Sequence, residues 1–181
     1  MNDLTEKQLN TTEYYRNHFL NVREDEVSLP DGNTSKRVVV AHPGGVSIIA
    51  LNNNHRLLLV EQYRYPLGRK TLETPAGKIE LNEQPIVTAS RELEEETGYS
   101  AGQLTLISKI ATTPGFTDEY IETYLAHDVT KLNTKVAGDA DEFINVLALT
   151  KEDAIAAIEE GAICDFKTIY AIQYLTLQQV W

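Results

Sequence analysis

The stretch that most constrains this chain runs from Gly77 to Tyr99 and has the sequence GKIELNEQPIVTASRELEEETGY. Ile86, Ala89 and Leu93 recur at helical spacing within it. Such a repeat predicts an α-helix whose apolar face packs on a hydrophobic core. The stretch therefore predicts a turn followed by an amphipathic helix.

The polar side of this helix carries a dense acidic patch. Glu92 and Glu96 are separated by one helical repeat, about 40° around the helix axis, so their carboxylates share one face. Glu95 borders the same region. Carboxylates this close repel one another unless a cation lies between them, and oxygen-only ligands suit Mg²⁺ or Mn²⁺ better than zinc. We expect a divalent-metal site here, and we expect Gly98 to end the helix in a left-handed conformation.

An acidic pair on a helix is more commonly a solvated face, and that is the alternative interpretation. The complete spacing favours the metal site, because the stretch matches the pattern G-x5-E-x7-R-E-U-x-E-E-x-G-U, with U a bulky apolar or aromatic residue, at every position. The matching residues are Gly77, Glu83, Arg91, Glu92, Leu93, Glu95, Glu96, Gly98 and Tyr99. This pattern is the Nudix box, and the chain resembles the Nudix hydrolases.

The composition of the chain limits the classes of partner and the compartment that can be expected. The chain has 181 residues, enough for one domain with a sizeable core. Its formal net charge of −11 argues against nucleic acid or an anionic membrane as a partner. The single cysteine, Cys164, excludes an internal disulfide, fits a reducing compartment and is expected to be a small packing residue. The polar N-terminus and the lack of any apolar run of membrane-spanning length predict a cytoplasmic protein.

Strand patterns come first along the chain and helix patterns later, with one helix embedded between strands, and this order predicts an α+β fold. Residues 1–12 are expected to be frayed or weakly helical, and residues 63–74 to form a loop. The predicted regular elements are a hairpin of 14–29 and 36–42, strands at 46–51, 56–62, 104–111, 120–127 and 144–149, a helix capped by Thr150 that ends at Gly161, and a last helix at 166–179. The family resemblance implies an α/β/α sandwich with a mixed sheet and an N-terminal hairpin extension. We expect two parts, an extension over residues 1–42 and a Nudix domain over residues 43–181.

Two runs before the acidic helix, EQYRYP and LETPAGK, resemble the ADP-ribose pyrophosphatase branch of the family. The resemblance implies that Arg64 contacts the substrate pyrophosphate and that the backbone carbonyl of Ala76 is a metal ligand. A lone loop arginine is otherwise a surface charge, but the neighbouring acidic patch favours a bidentate phosphate clamp. Glu73 is also implicated in substrate binding, with a structural role as the equal alternative.

Two later loops resemble functional loops of the same branch. The run PGFTDE, with Gly115 and Phe116, resembles its substrate-specificity loop, and an ordinary connection between strands is the alternative. In the resembling enzymes a loop glutamate activates the attacking water. Glu142 is the choice here because it directly precedes a predicted strand, although Asp139 and Asp141 are also candidates. Glu95 is the fallback base.

Residues of the N-terminal part are expected to recognise the adenine base of the substrate. Adenine generally stacks on an aromatic side chain, and Phe19 is the candidate, with a core aromatic as the alternative. Arg37 resembles an arginine that reaches substrate in this branch, but Val38 follows it where an acidic residue is common. The branch typically forms homodimers whose N-terminal strands cross to the partner, so Phe19 and Arg37 would complete the neighbouring site.

Together these features predict Mg²⁺-dependent hydrolysis of ADP-ribose, or of a related nucleoside diphosphosugar, to AMP and ribose 5-phosphate. Glu92, Glu96 and the Ala76 carbonyl would hold ions that neutralise the phosphates and acidify the attacking water. Arg64 would stabilise charge in the transition state, and Arg91 is expected to pair with a box glutamate. The alternatives are a GDP-mannose or dinucleotide pyrophosphatase and a non-catalytic Nudix ligand sensor.

Overall fold

The structure is a computed structural model that describes residues 3–134, 136, 138 and 143–181 of the chain. The chain divides into two compact units. The first comprises Met1–Gly44 with Ile110–Ile121, and the second comprises Gly45–Lys109 with Glu122–Trp181. Among the described residues, no helix combines the length and the apolar character needed to cross a bilayer.

Strands outnumber helices in the described part of the chain. In chain order the strands are β1 (Lys7–Arg16), β2 (Asn21–Ser28), β3 (Thr34–Ala41), β4 (Gly45–Ile49), β5 (Leu57–Arg64), β6 (Arg69–Glu73), β7 (Ala76–Lys78), β8 (Tyr99–Ser100), β9 (Gln103–Ala111), β10 (Tyr120–His127), β11 (Thr130–Lys131) and β12 (Asn145–Leu149). The helices are α1 (Pro85–Glu92), α2 (Lys151–Glu159) and α3 (Phe166–Leu177), with a 3₁₀ turn at Tyr65–Leu67 and a π-helical turn at Leu93–Thr97. The predicted α+β class is confirmed.

The first unit contains a three-stranded antiparallel sheet in the order β1-β2-β3. The predicted hairpin of β2 and β3 is confirmed, and Gly32 takes a φ of +88° in its turn, a conformation that favours glycine. The expectation of a frayed or weakly helical start is wrong from Lys7 onward, because β1 pairs with β2 from Lys7 to Arg16, with two register shifts. All ten residues of β1 are exposed to solvent, so its own sequence carries no burial pattern.

The strands of the second unit bury apolar side chains on both faces. Val46 of β4 and Leu58 of β5 join one hydrophobic cluster with Ala89 of α1. Ile49 of β4 and Leu59 of β5 join a second cluster, which is completed by residues of α2 and α3. Because successive strand residues point to opposite faces, α1 lies on one side of the strands and α2 and α3 lie on the other. This arrangement confirms the α/β/α sandwich.

The segment expected to be a loop before the acidic helix is instead a hairpin. β5 and β6 pair antiparallel from Val60 with Glu73 to Arg64 with Arg69. The 3₁₀ turn and Gly68, which has a φ of +65°, reverse the chain between them. The loop prediction for residues 63–74 is therefore wrong, since β6 is a strand through pairing with β5 and not through its own polar composition.

The acidic helix begins at Pro85 and changes geometry at its end. It is α-helical to Glu92 and then widens into the π-helical turn, which Gly98 ends with a φ of +72°. The predicted glycine stop is confirmed, whereas a single uniform α-helix is not found. Leu93 is fully buried as predicted, but Ile86 is 48% exposed because it lies in the first turn, ahead of the buried face.

The C-terminal helices follow the sequence pattern closely. The Thr150 side chain accepts a hydrogen bond from the backbone N–H of Asp153, as the predicted cap requires. Ile172 and Leu175 of α3 are buried in the second cluster. Cys164 is exposed, so its predicted packing role is wrong; it lies in the connection that leads into α3.

Candidate active site

The two carboxylates predicted to bind metal lie against one short backbone segment. Oε2 of Glu96 accepts a hydrogen bond of 2.9 Å from the backbone N–H of Ala76. A Cβ atom on Gly77 would lie 1.9 Å from Oε1 of Glu92, so the backbone of Gly77 directly contacts that side chain. Both glutamates are buried. The start of β7 and the end of the acidic helix therefore bring Ala76, Glu92 and Glu96 together, while their metal-binding role stays a prediction.

Arg91 organises the acidic side of this site. Its Nη1 atom lies 2.9 Å from Oε1 of Glu92 and 2.9 Å from Oε2 of Glu95. Its Nε and Nη2 atoms donate to the two carboxylate oxygens of Glu83 at 3.2 Å each. The hydrogen bonds with Glu83 and the nearby charge of Glu92 raise the pKa of Arg91. The expectation that Arg91 pairs with box glutamates is confirmed, and it pairs with three.

The donor set fits a hard divalent cation. It consists of buried carboxylate oxygens beside backbone amide groups, and Mg²⁺ combines one or two carboxylates with water and substrate phosphate oxygens. Across the described residues, no group of three or more His, Cys, Asp and Glu side chains is arranged to hold a metal ion. Glu92, Glu96 and the backbone at Ala76 are the residues that would hold one.

A second charged group surrounds Glu73. Arg64 donates to both of its carboxylate oxygens, from Nε at 2.8 Å and from Nη2 at 2.7 Å. Thr71 Oγ1 donates at 2.6 Å, and Lys167 Nζ donates to Oε2. Burial raises the pKa of Glu73, but the hydrogen bond from Arg64 and the charge and hydrogen bond of Lys167 outweigh burial and lower the pKa to about 2. These contacts give Glu73 a structural role; its contact with substrate stays a prediction.

Arg64 keeps donors for another anion despite this pairing. A guanidinium has five N–H groups in a planar fork. Glu73 accepts hydrogen bonds only from the Nε–H group and from one of the two N–H groups on Nη2. The Arg64 side chain is 41% exposed. The pairing with Glu73 first, and the charge of Glu96 further off, raise the pKa of Arg64. The predicted phosphate contact is therefore compatible with the ion pair.

Four predicted substrate residues lie in the first unit, whereas the acidic residues belong to the second. Phe19 is half-buried and packs edge-on against His42, with ring centroids 5.9 Å apart. Arg37 donates to both carboxylate oxygens of Glu6, at 2.9 Å and 2.6 Å.

The loop with Gly115 and Phe116 is anchored by the Phe116 carbonyl, which accepts from the backbone N–H of Val40 at 2.7 Å. The Phe116 side chain is exposed, and among the described residues, the chain neighbours of Gly115 aside, no atom lies within 4 Å of a Cβ built on Gly115. The predicted contacts of Phe19, Arg37, Gly115 and Phe116 with substrate stay predictions.

The predicted base, Glu142, lies outside the described residues, as do Asp139 and Asp141. The fallback base, Glu95, is described and pairs with Arg91.

Sequence reasoning missed Lys167, which is buried at the start of α3. A signal was available, because Lys167, Ala171 and Leu175 are spaced by four residues and therefore share one helix face. Leu175 is an apolar residue of a helix expected to pack on the core, so its helix face, which includes Lys167, should point inward.

A helix that carries buried glutamates against a glycine-containing strand, inside an α/β/α sandwich, is the arrangement that the Nudix box predicts. Comparison with protein families agrees: the NUDIX domain matches residues 41–170, and the nucleoside diphosphate sugar hydrolase N-terminal domain matches residues 6–40. The chain belongs to the Nudix family and is a Nudix hydrolase. Members of this family generally use divalent metal ions.

Relatives match the chain over nearly its whole length. It is 45% identical over 174 residues to the methanol dehydrogenase activator of Bacillus methanolicus, covering 96% of this chain and 94% of the relative. It is 42% identical over 179 residues to the ADP-ribose pyrophosphatase of Bacillus subtilis strain 168, covering 99% and 97%. A crystal structure of an ADP compounds hydrolase shares the fold, with a TM-score of 0.80, 20% identity and 97% coverage of each chain.

Proposed function

We propose that the protein hydrolyses the pyrophosphate bond of ADP-ribose, or of a related nucleoside diphosphosugar, to release AMP and ribose 5-phosphate. The observation that carries this proposal is the contact of the Ala76 and Gly77 backbone with the buried carboxylates of Glu92 and Glu96. The substrate class is supported by the Bacillus subtilis relative, which is named as an ADP-ribose pyrophosphatase.

In this proposal Glu92, Glu96 and the Ala76 carbonyl hold Mg²⁺, with Mn²⁺ as a substitute. When bound, the metal supplies positive charge to the two phosphates and acidifies the attacking water. Arg64 orients a phosphate through the N–H groups that do not bond to Glu73 and stabilises charge that develops in the transition state. Glu142 takes the proton of the attacking water, with Glu95 as the alternative base.

The remaining substrate contacts are assigned to the first unit. In a homodimer Phe19 would stack on the adenine and Arg37 would reach the substrate in the neighbouring site, and the loop with Gly115 and Phe116 would contribute to substrate specificity. Glu73, in the second unit, would hold Arg64 in place. We also propose a homodimer built through the N-terminal part, residues 1–42. The exposed strand β1 supports this, because an edge strand with exposed Leu9, Tyr14 and Tyr15 is a ready surface for a partner. Light scattering that gives the mass of a monomer would refute the dimer.

The proposed setting is the cytoplasm, with a small-molecule substrate and neither nucleic acid nor membrane as a partner. The single cysteine and the net charge of −11 support this setting.

The decisive variant is Glu96→Gln. The glutamine retains an oxygen that can accept the Ala76 N–H, so the urea midpoint should change little. It removes a metal-binding charge, so Mg²⁺-dependent ADP-ribose turnover should fall by about 100-fold or more. Glu94→Gln is the matched control, because Glu94 lies in the same π-helical turn but outside the fixed box positions, and it should retain turnover. Wild-type turnover in Glu96→Gln would remove the metal-ligand assignment.

A substrate panel separates the alternatives that keep the same fold. Faster hydrolysis of GDP-mannose or of a dinucleotide would keep the chemistry and change the substrate. Binding of ADP-ribose without hydrolysis in the presence of Mg²⁺ would indicate a ligand sensor. Running the panel in ¹⁸O-labelled water shows which phosphorus the water attacks.

The Bacillus methanolicus relative supports a second candidate, the activation of a methanol dehydrogenase. Adding the protein to that dehydrogenase and measuring methanol oxidation tests it directly. If activation needs hydrolysis, Glu96→Gln will abolish it and Glu94→Gln will not.

A further inference from the structure

We propose that Lys167 is a positioning residue that acts on the phosphate-binding arginine, Arg64, through the buried carboxylate of Glu73. This inference rests on the proposed function, because it assumes that Arg64 binds a substrate phosphate. It adds a residue from α3, far along the chain from the Nudix box, to the machinery that orients the substrate.

The contacts form a continuous chain from α3 to Arg64. Lys167 Nζ donates to Oε2 of Glu73 and, at 2.8 Å, to Oδ1 of Asp165. Oε2 of Glu73 also accepts from Nη2 of Arg64 at 2.7 Å. The side chains of Lys167 and Glu73 are only 8% and 3% exposed, so this link is shielded from water. Oε2 of Glu73 therefore accepts hydrogen bonds from both Lys167 and Arg64.

The rigidity of Glu73 decides where the guanidinium points. Thr71 Oγ1 and Arg64 Nε both donate to Oε1 of Glu73, while Lys167 and Arg64 Nη2 donate to Oε2. Each carboxylate oxygen is therefore held from two sides. Within the described residues, Arg64 donates its side-chain hydrogen bonds to Glu73 alone, so the orientation of this carboxylate fixes the orientation of the fork that remains free for phosphate.

Charge balance gives Lys167 a second effect on the same site. Arg64 and Lys167 carry two positive charges, and Glu73 and Asp165 carry two negative charges. Removing Lys167 leaves a net negative charge behind the arginine, in a protein whose net charge is already −11. An anionic phosphate would then bind less well, and the Glu73 carboxylate would lose one of the four hydrogen bonds that hold it.

The test is a double-mutant cycle on kcat/KM for ADP-ribose, made from Lys167→Met and Arg64→Ala. We expect Lys167→Met to lower kcat/KM by about tenfold, the lower end of the losses seen when groups that orient metal ligands are removed. In the Arg64→Ala background the same change should have almost no further effect, because the group on which Lys167 acts is gone. Urea unfolding of all four proteins measures the stability cost separately.

Lys70→Met is the matched control. Lys70 lies on β6 next to Thr71 and pairs with Glu61, but its side chain is 65% exposed and it makes no bond to Glu73. It should leave kcat/KM unchanged in both backgrounds. Equal losses from Lys167→Met with and without Arg64 would show a merely structural role and overturn the inference, as would an unchanged kcat/KM.

If Lys167→Met does not fold, Thr71→Val replaces it in the cycle. This change keeps the shape of the side chain and removes the 2.6 Å donor to Oε1 of Glu73, with an expected loss of about threefold that Arg64→Ala again abolishes. Failure of the proposed function is distinguishable, since the wild-type protein would then not hydrolyse ADP-ribose at all. An active wild type with additive effects overturns only the role of Lys167.

Discussion

Gly77 and Glu92 lie so close together that no side chain fits between them. A Cβ atom at Gly77 would lie 1.9 Å from Oε1 and 2.1 Å from Cδ of Glu92. Real Cβ atoms do not approach other atoms so closely, so any substitution of Gly77 must displace the carboxylate. The box requires glycine at position 77 because the Glu92 carboxylate occupies the space that a side chain there would need.

Gly77→Ala should therefore act as a mutation of the metal site, without removing a ligand. We expect the Glu92 carboxylate to move away from β7, and the apparent affinity for Mn²⁺ to fall by about 10- to 100-fold, as it does when the groups that orient a ligand are lost. Mn²⁺ binding measured by electron paramagnetic resonance provides the test.

The matched control for that measurement is Gly115→Ala, because a Cβ on Gly115 meets no atom within 4 Å in the part of the chain that the structure describes, its chain neighbours aside. Its Mn²⁺ affinity should equal that of the wild-type protein. Unchanged affinity in Gly77→Ala would show that the Glu92 carboxylate can move without consequence, and Glu92 would lose its assignment as a ligand.

Arg91→Lys is expected to destabilise the folded protein although it preserves the positive charge. The guanidinium reaches Glu83 through Nε and Nη2 while Nη1 reaches Glu92 and Glu95, a geometry that a single ammonium group cannot reproduce. We expect a loss of about 1–3 kcal/mol in the free energy of unfolding, because buried Glu92 and half-buried Glu83 and Glu95 lose donors. Urea denaturation monitored by circular dichroism measures it.

Arg16→Lys provides the comparison, since Glu13 is the one ion-pair partner of Arg16 among the described residues and the Arg16 side chain is 64% exposed. Exposed pairs contribute little, so its stability should stay within about 0.5 kcal/mol of the wild type. A similar small effect in Arg91→Lys would mean that the three box glutamates do not depend on the fork geometry.

The elements that could be predicted from sequence are those whose own side chains are buried. β4 has the continuous apolar run of a strand covered on both faces, and α3 has a helical apolar period that ends in Leu175. β1 and β6 could not be predicted, because one is exposed throughout and the other is polar, and both are strands through pairing with a neighbour.

In the candidate site too, some features could be predicted from the sequence and others could not. The spacing of Glu92, Glu96 and Gly98 was sufficient to predict a carboxylate pair and a glycine stop. The π-helical turn was not predictable, because the α and π forms differ in which carbonyl each N–H contacts and neither needs a special residue. The ion pair of Arg64 with Glu73 depends on the pairing of β5 with β6, which local patterns did not indicate.

Because the buried Glu73 carboxylate is ionised in the folded protein, the free energy of unfolding should depend on pH over a defined acidic range. Its pKa is about 2 in the folded protein and ordinarily 4.5, so the unfolded chain binds the proton first. Its contribution is fully present above pH 4.5 and is lost as pH falls towards 2, on the order of 3 kcal/mol in total. Urea midpoints measured from pH 6 to pH 2 should fall less steeply in Glu73→Gln than in the wild type. Glu61→Gln, which alters a pair at the surface, should retain most of the wild-type slope. Parallel curves for Glu73→Gln and the wild type would show that Glu73 is not held ionised by Arg64 and Lys167.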